Sequence, residues 1–592
     1  MKITEDLKQI ILKAVESSGF KVDEEKIKLE HPSDVNFGDY STNIAMSLAR
    51  LRQGYDGQAK SEKKNPRELA EKILRQAQDI NCDFIEKIEI AGAGFINFYL
   101  KPEYLIKEAE SINYEIEFRN RLNEYGKGKT VVIDYSAPNI AKPFGIGHLR
   151  STDIGQAIYN LYKMLGWNCI GDNHIGDWGT QYGKLVTAII RCKMLDPRFK
   201  IFEKDFDINK LTINDLEKLY VAFHKEAETD ETLIDEGREY FAKLENGDKE
   251  AREIWQKCID ISLLEFEKVY QMLGVSIDFI HGESFYSDML PGITKEIIDK
   301  GITAKSEGAI IVELNGMPPA MLQKSNETTT YFTRDMATIK YRMENWNPDL
   351  IVYEVGVDQQ LHFRQVFETA KLMDWWPKDG MVHIAHGLIR WPTGKFSTRK
   401  GDTIHLSDVI EKAIDEAKKI ADKSTVSKEM TATEKEAMIK AVAIGAVKFS
   451  DLATDPRRDV IFDWDKIMSL DGDSGPYLQY AYARCKSVLN KTSIKEQKNI
   501  TELPGNINDD EMALIREFYK FEEKIIEAAE RFSPSVIAEY ILGVARKYNE
   551  FYAKNRIIDQ NEEVFRIFLT KVTASIIETG LDLLGIETVE KM

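Results

Sequence analysis

Two short loops hold the residues whose types and spacing could do chemistry. The first, "DYSAPNIAKPFGIGHLRST" (Asp134–Thr152), sets Lys142 and His148 among the glycines Gly145 and Gly147. A helix opening near Gly147–His148 would aim its free N–H groups and positive dipole end into that loop, which favours a phosphate. The glycines let a ligand approach the backbone, Lys142 brings a mobile positive charge, and His148 can donate to a phosphate oxygen. The second loop, "WPTGKFSTRKGDTIHL", carries Lys395, Ser397, Thr398, Arg399 and Lys400. Three cations and two hydroxyls suit a polyphosphate leaving group, which needs charge neutralisation more than covalent chemistry. Alone, the first loop fits a tight structural turn about as well, and the second is what a solvated charge run on the surface usually looks like. Together they point to phosphate handling.

These loops need elements to position them. "TVVIDYS" is a nearly all-apolar run of the kind buried in a parallel sheet. After the loop, Ile154, Ile158, Leu161, Tyr162 and Leu165 recur at helical spacing, and "WNCIGDN" supplies another short strand. Strand, loop, helix and strand in that order open a doubly wound α/β nucleotide-binding fold. "GAIIVEL" and "LIVYEVG" are further candidate strands, and residues 205–273 read as a charged helical insertion. The organisation expected is an α+β N-terminal domain over 1–105, a linker over 106–128, an α/β catalytic domain over 129–465, and an all-α helical bundle over 466–592.

Composition narrows the class. A chain of 592 residues is too long for one hydrophobic core. No apolar run approaches the roughly 20 residues of a membrane span, and the first helix lacks signal-peptide features. No membrane association and a cytoplasmic location are therefore expected. The five cysteines are scattered without a C-x-x-C pair, so neither a disulfide framework nor a zinc site is indicated. A net charge of −18 argues against a non-specific nucleic-acid coat but leaves local basic patches open.

The motifs resemble a known family. "SAPNIAKPFGIGHLRST" is similar to the HIGH region of class I aminoacyl-tRNA synthetases, and "KFSTR" to their KMSKS loop. More narrowly, "NHIGDWGTQYG", "YFTRDMATIKYR", "VGVDQQLHF", "GPYLQYAYAR" and "EFYAKNRI" resemble arginyl-tRNA synthetases. "GDYSTNIAMSLA" and "GAGFINFYL" resemble that family's additional N-terminal tRNA-binding domain. The resemblance implies ligation of L-arginine to tRNA(Arg) through an arginyl-adenylate, with bound tRNA required for adenylate formation. ATP would enter as substrate with Mg2+, no metal would be held by the protein, and a monomer is expected.

Site residues follow from the same resemblance. It implies Lys142, His148 and Lys395 as catalytic residues. Pro138, Asn139, Gly145, Gly147, His148, Ser397 and Lys400 would contact ATP. Asn139, Glu283, Tyr331, Asp335 and Gln359 would form the arginine pocket, with Asp335 on the guanidinium and Glu283 on the α-amino group or a second guanidinium contact. Tyr331 and Asp335 are four apart, so on a helix they share a face. Tyr482, Arg484, Tyr548, Tyr552, Asn555 and Arg556 would serve the anticodon in the bundle, although aromatic residues at helical spacing are also what a core requires. His362 fits either an active-site or a core position. Two departures stand out. "KFSTR" lacks a second lysine, a role Lys142 or Lys400 could take, and Gly145 replaces the first HIGH histidine. A non-catalytic tRNA-binding paralogue and a class I enzyme for another amino acid stay open as alternatives.

Overall fold

The strands that position the first loop form a five-stranded, all-parallel sheet. In chain order they are β1 (Thr130–Asp134), β2 (Asn168–Asn173), β3 (Phe279–Ile280), β4 (Leu350–Gly356) and β5 (Gly380–His386). Their spatial order is β5-β4-β1-β2-β3. Val131, Val132 and Ile133 are fully buried, which accounts for a strand with no polar alternation. From β1 the next strand, β2, lies on one side and β4 on the other. The crevice at the carboxyl ends of β1 and β4 is therefore the topological switch point where such sheets bind ligands.

The computed structural model describes residues 2–51, 65–80, 82–113, 115–199, 206–391, 404–494 and 504–592. Lys395, Ser397 and Lys400 lie outside the described residues. The chain packs as two units. One comprises residues 1–118, 488–524 and 543–576, and the other comprises 119–487, 525–542 and 577–592.

Helix α1 (Ile146–Met164) follows the first loop, α2 (Tyr331–Trp346) precedes β4, and α3 (Gln360–Leu372) follows it. The insertion supplies helices Ile213–Ala227, Thr232–Glu245 and Lys249–Leu273. "GAIIVEL" joins a separate antiparallel sheet, in which Ala309–Val312 sits between Thr303–Ser306 and Ala320–Gln323. The reason is local. Glu307 (φ 51°) and Gly308 (φ 85°) form a two-residue turn with both φ positive, which makes a tight hairpin and precludes a crossover.

Further helices are α4 (Ala432–Leu452) and, at the end of the chain, α5 (Glu563–Leu583). Between them lie the short strand Val460–Ile461, paired with Ile389–Arg390, and then Gly475–Lys491, Asp509–Phe518, Phe521–Glu530 and Ser535–Lys554, so the regular elements among the described residues from 475 onward are all helices. In the N-terminal part, Phe95–Leu100 is the central strand of a three-stranded antiparallel sheet with Tyr40–Thr42 and Ile85–Ala91.

Candidate active site

The loop after β1 is strained. Ser136 (φ 76°), Ala137 (φ 43°) and Ala141 (φ 62°) all hold left-handed backbone without being glycine, at a cost on the order of 1–3 kcal/mol each. A buried hydrogen-bond set imposes it. Ser136 Oγ lies 2.8 Å from the Tyr270 hydroxyl and accepts from Thr152 Oγ1 at 2.9 Å. Ser136 O accepts from Ser151 Oγ at 3.0 Å, and the Ala137 N–H donates to Asn173 Oδ1 at 2.9 Å. The Ala141 N–H donates to Ser262 Oγ at 2.8 Å. Tyr270 and Ser262 belong to the last insertion helix, so the insertion helps to build this loop.

Gly145 caps α1, which starts at Ile146, one residue before the Gly147–His148 start that the sequence pattern indicates. The Gly145 N–H donates to His148 Nδ1 at 3.2 Å. Burial, with a smaller effect from Lys142, holds the His148 pKa below its ordinary value. A neutral imidazole that accepts at Nδ1 carries its proton on Nε2. His148 is thus a neutral donor at the mouth of a helix N-terminus. Gly147 faces open space, where an added Cβ would meet nothing within 4 Å. Lys142 Nζ lies 5.4 Å from the Tyr220 ring centre. The residues that follow the cationic loop are stitched to the same place. Gly145 bridges to His405, the Ile146 N–H donates to Ile404 O at 2.9 Å, and the Leu406 N–H donates to Phe144 O at 2.9 Å.

Beyond β2, residues 174–177 join the loop to an acidic pocket. The Gly176 N–H donates to Pro138 O and the Ile140 N–H to Gly176 O, both at 3.1 Å. A Cβ on Gly176 would come within 2.3 Å of Asn139 Oδ1, so any larger residue there would displace the Asn139 side chain. The Glu283 N–H donates to Ile175 O at 3.1 Å. Burial pushes the Glu283 carboxyl up to about 7, with His174 and Arg334 opposing and Asp335 and Asp177 adding to the rise. Its Oε2 is buried without a hydrogen-bond partner, 4.0 Å from Arg334 Nε.

Helix α2 brings Tyr331 and Asp335 to one face, as their spacing requires. Tyr331 is 62% exposed. Asp335 Oδ2 lies 2.6 Å from His362 Nε2 on α3. Burial lowers the His362 pKa, but the hydrogen bond and charge of Asp335 outweigh it and raise the value. Gln359 is exposed immediately before α3. Farther along α2, the fully buried Arg342 binds Asp134 of β1 and Asp172 of β2, each at 2.8 Å from Nη2. That ion cluster fixes the pocket helix to β1, which leads into the nucleotide loop, and to β2, which leads into residues 174–177. A cleft of about 1080 Å³, bordered by Trp178, Glu245, Trp255, Tyr331 and Arg334, opens beside the pocket.

Sequence reasoning therefore grouped Lys142, Gly145, Gly147 and His148 with the edge of the cationic loop, and Glu283 with Tyr331 and Asp335. No spacing rule marks His174, Asp177 and Arg334, although "NHIGDWG" and "YFTRD" contain them. The bundle candidates need correction. Tyr482 and Tyr548 are 1% and 0% exposed and pack in the interior, so neither ring face is available to a base. The Tyr482 hydroxyl donates to Glu578 Oε1 at 2.9 Å. Arg484 stacks on Tyr480, 4.8 Å from the ring centre. Asn555 accepts from Asn508 Nδ2 at 2.9 Å, Arg556 pairs with Asp559 at 3.3 Å, and Tyr552 is exposed. Tyr482 and Arg484 fall in one packed unit and the other four in the second. Among the described residues, no group of three or more His, Cys, Asp or Glu is placed to hold a metal ion, and no helix is long and apolar enough to cross a membrane.

A phosphate-type loop at the switch point of a parallel doubly wound sheet, with a neutral histidine at the following helix N-terminus, defines a class I nucleotide-activating site. Three family descriptions match the chain: "tRNA synthetases class I (R), catalytic domain" over 115–464, "DALR anticodon binding domain" over 478–592, and "Arginyl tRNA synthetase N terminal domain" over 2–100. An arginine–tRNA ligase of Clostridium acetobutylicum is 39% identical over 541 residues, covering 90% of this chain and 92% of its own. One from Clostridium botulinum is 38% identical over 597 residues, covering 99% and 100%. The crystal structure of an arginyl-tRNA synthetase from Plasmodium falciparum superposes with a TM-score of 0.81 at 25% identity, covering 100% and 99%. The chain belongs to the arginyl-tRNA synthetase family.

Proposed function

We propose that the protein joins L-arginine to tRNA(Arg) in two steps, forming arginyl-adenylate and diphosphate from ATP and then arginyl-tRNA and AMP. The strained loop with Pro138, Asn139, Gly145 and Gly147 receives ATP, with Mg2+ entering as part of that substrate. The arginine carboxylate attacks the α-phosphorus in line. His148 donates from Nε2 to a phosphoryl oxygen, and Lys142 and the α1 N-terminus add positive potential. Lys395, Ser397 and Lys400 neutralise the departing diphosphate. This is catalysis by position and charge, without a covalent enzyme intermediate.

Glu283, Asp335, Tyr331, Gln359 and Asn139 hold the amino acid. The observation that carries this assignment is the buried Glu283 carboxyl, whose Oε2 has no hydrogen-bond partner and whose pKa is raised to about 7. A cationic substrate would relieve that cost, whereas a neutral one would leave it in place. Residues 1–105 and 466–592 serve as tRNA-binding modules, with Tyr552, Asn555, Arg556 and Arg484 as the accessible contacts. The protein acts as a cytoplasmic monomer. ATP–diphosphate exchange with tRNA present, comparing arginine, lysine and citrulline, tests the pocket. Arginine alone should support exchange, and equal exchange with citrulline would contradict a charge-reading site.

A further inference from the structure

The chain's last helix reaches the nucleotide loop through two side-chain amides. In its final turn, the carbonyls of Asp582 and Leu583 at the end of α5 accept from Asn160 Nδ2 of α1 at 3.2 and 3.3 Å. Such carbonyls have no partner within their own helix, and that of Asp582 also accepts the Gly585 N–H at 2.9 Å. Asn160 Oδ1 accepts from Gln156 Nε2, one turn earlier on α1, at 2.8 Å. Gln156 Oε1 accepts the Ser276 N–H at 2.8 Å and lies 3.2 Å from the Tyr135 hydroxyl, which also bonds Ser276 O. Both amides are oriented by their partners, since each nitrogen meets an acceptor and the Gln156 oxygen meets a backbone donor.

Both ends of this path are built to fit. Tyr135 is fully buried and immediately precedes the strained Ser136. Its side chain occupies space opened by two glycines. A Cβ on Gly155 would lie 2.2 Å from Tyr135 Cβ, and one on Gly171 would lie 3.1 Å from the ring. At the other end, Gly585 (φ 64°) lies so close that a Cβ would sit 2.9 Å from Lys448 Nζ of α4 and 3.9 Å from Asn160 Nδ2. Lys448 is itself fully buried, donating to Leu273 O and lying 3.7 Å from Asp153 Oδ1 of α1. The segment after α5 is thus seated against α1 by backbone shape and by hydrogen bonds. All of these residues belong to one packed unit.

We propose that Asn160 and Gln156 are positioning residues, which let the chain's C-terminal segment hold Tyr135 and with it the ATP-binding conformation of the loop from Ser136 to Ala141. The inference rests on the assignment of that loop to ATP. The arginine pocket has anchors outside this path, Arg342 on Asp172 and the Glu283 N–H on Ile175 O, so damage to the path should fall more heavily on ATP than on arginine. A structural role alone would reduce the active fraction and leave both KM values unchanged, whereas a general collapse of the site would raise both.

The test is steady-state ATP–diphosphate exchange with tRNA, normalised by active-site titration, on wild type, Asn160→Leu and Gly585→Ala. The second variant disturbs the same contact from the other side by backbone strain, and covers the case in which the first does not fold. ATP KM should rise about five- to tenfold while arginine KM stays within about twofold of wild type. Unchanged ATP KM in a folded variant, or equal increases in both KM values, would overturn the proposal while wild-type exchange upheld the activity. Absence of arginine-dependent exchange in the wild type would overturn the activity and the inference together.

Discussion

At the residue scale, the chemistry depends on protonation states that the fold sets. Glu283 loses its charge as pH falls below about 7. Because an uncharged carboxyl cannot pair with a cation, arginine kcat/KM should fall below that pH by up to about tenfold per unit. A pH profile of Glu283→Gln lacking this limb would confirm the assignment, and an unchanged profile would exclude it. Asp335→Asn should lower arginine kcat/KM by about 2–5 kcal/mol in transition-state terms, with ATP KM little affected. It should also lower the His362 pKa, which Asp335 holds up, and NMR titration of the histidines reads that shift. Gly145 contributes through its backbone, by donating to His148 Nδ1. Gly145→His should therefore change single-turnover adenylate formation by no more than about tenfold. An inert wild type rescued by the histidine would favour a remnant site.

Among the elements, the nucleotide loop is held in a costly conformation by partners on three others: α1, β2 and the last insertion helix. Ser262→Ala would leave the buried Ala141 N–H without its acceptor, a loss of roughly 1–3 kcal/mol. Urea unfolding should show that destabilisation, and ATP KM should rise with it. Such dependence explains which parts of the site the sequence reveals. The β1–loop–α1 unit is contiguous, and its apolar run, glycines and helical spacing all mark it. Glu283 and His362 lie far along the chain from that unit, and only the resemblance or the folded structure joins them to it. "GAIIVEL" carries an ordinary strand pattern, and the two positive φ values that divert it into a hairpin belong to Glu307, just before it, and Gly308, its first residue, which the apolar run does not mark. Tyr482 and Tyr548 show the same ambiguity in helices, since the spacing that would present a stacking platform is also the spacing that fills a core.

Over the whole molecule, domain labels and packed units divide the chain differently. The helical region from 466 onward is continuous in sequence, yet its segments 475–487, 525–542 and 577–592 pack with the catalytic sheet's unit. Removing residues 577–592 would strip away buried Leu581, Leu583, Leu584, Ile586 and Val589. Each contributes about 1.5–3 kcal/mol on burial, so the truncated protein should be insoluble or melt far below the full chain in calorimetry. Periodicity alone gives no sign of this, because it reports which face of a helix is apolar but not which partner covers it. The central claim is that the acidic pocket and the strained loop together make an arginine-specific tRNA ligase. The most direct measurement is charging of unfractionated tRNA with each amino acid in turn. Arginine alone should be esterified, in an ATP-dependent reaction. No charging, or charging with a different amino acid, would contradict the account.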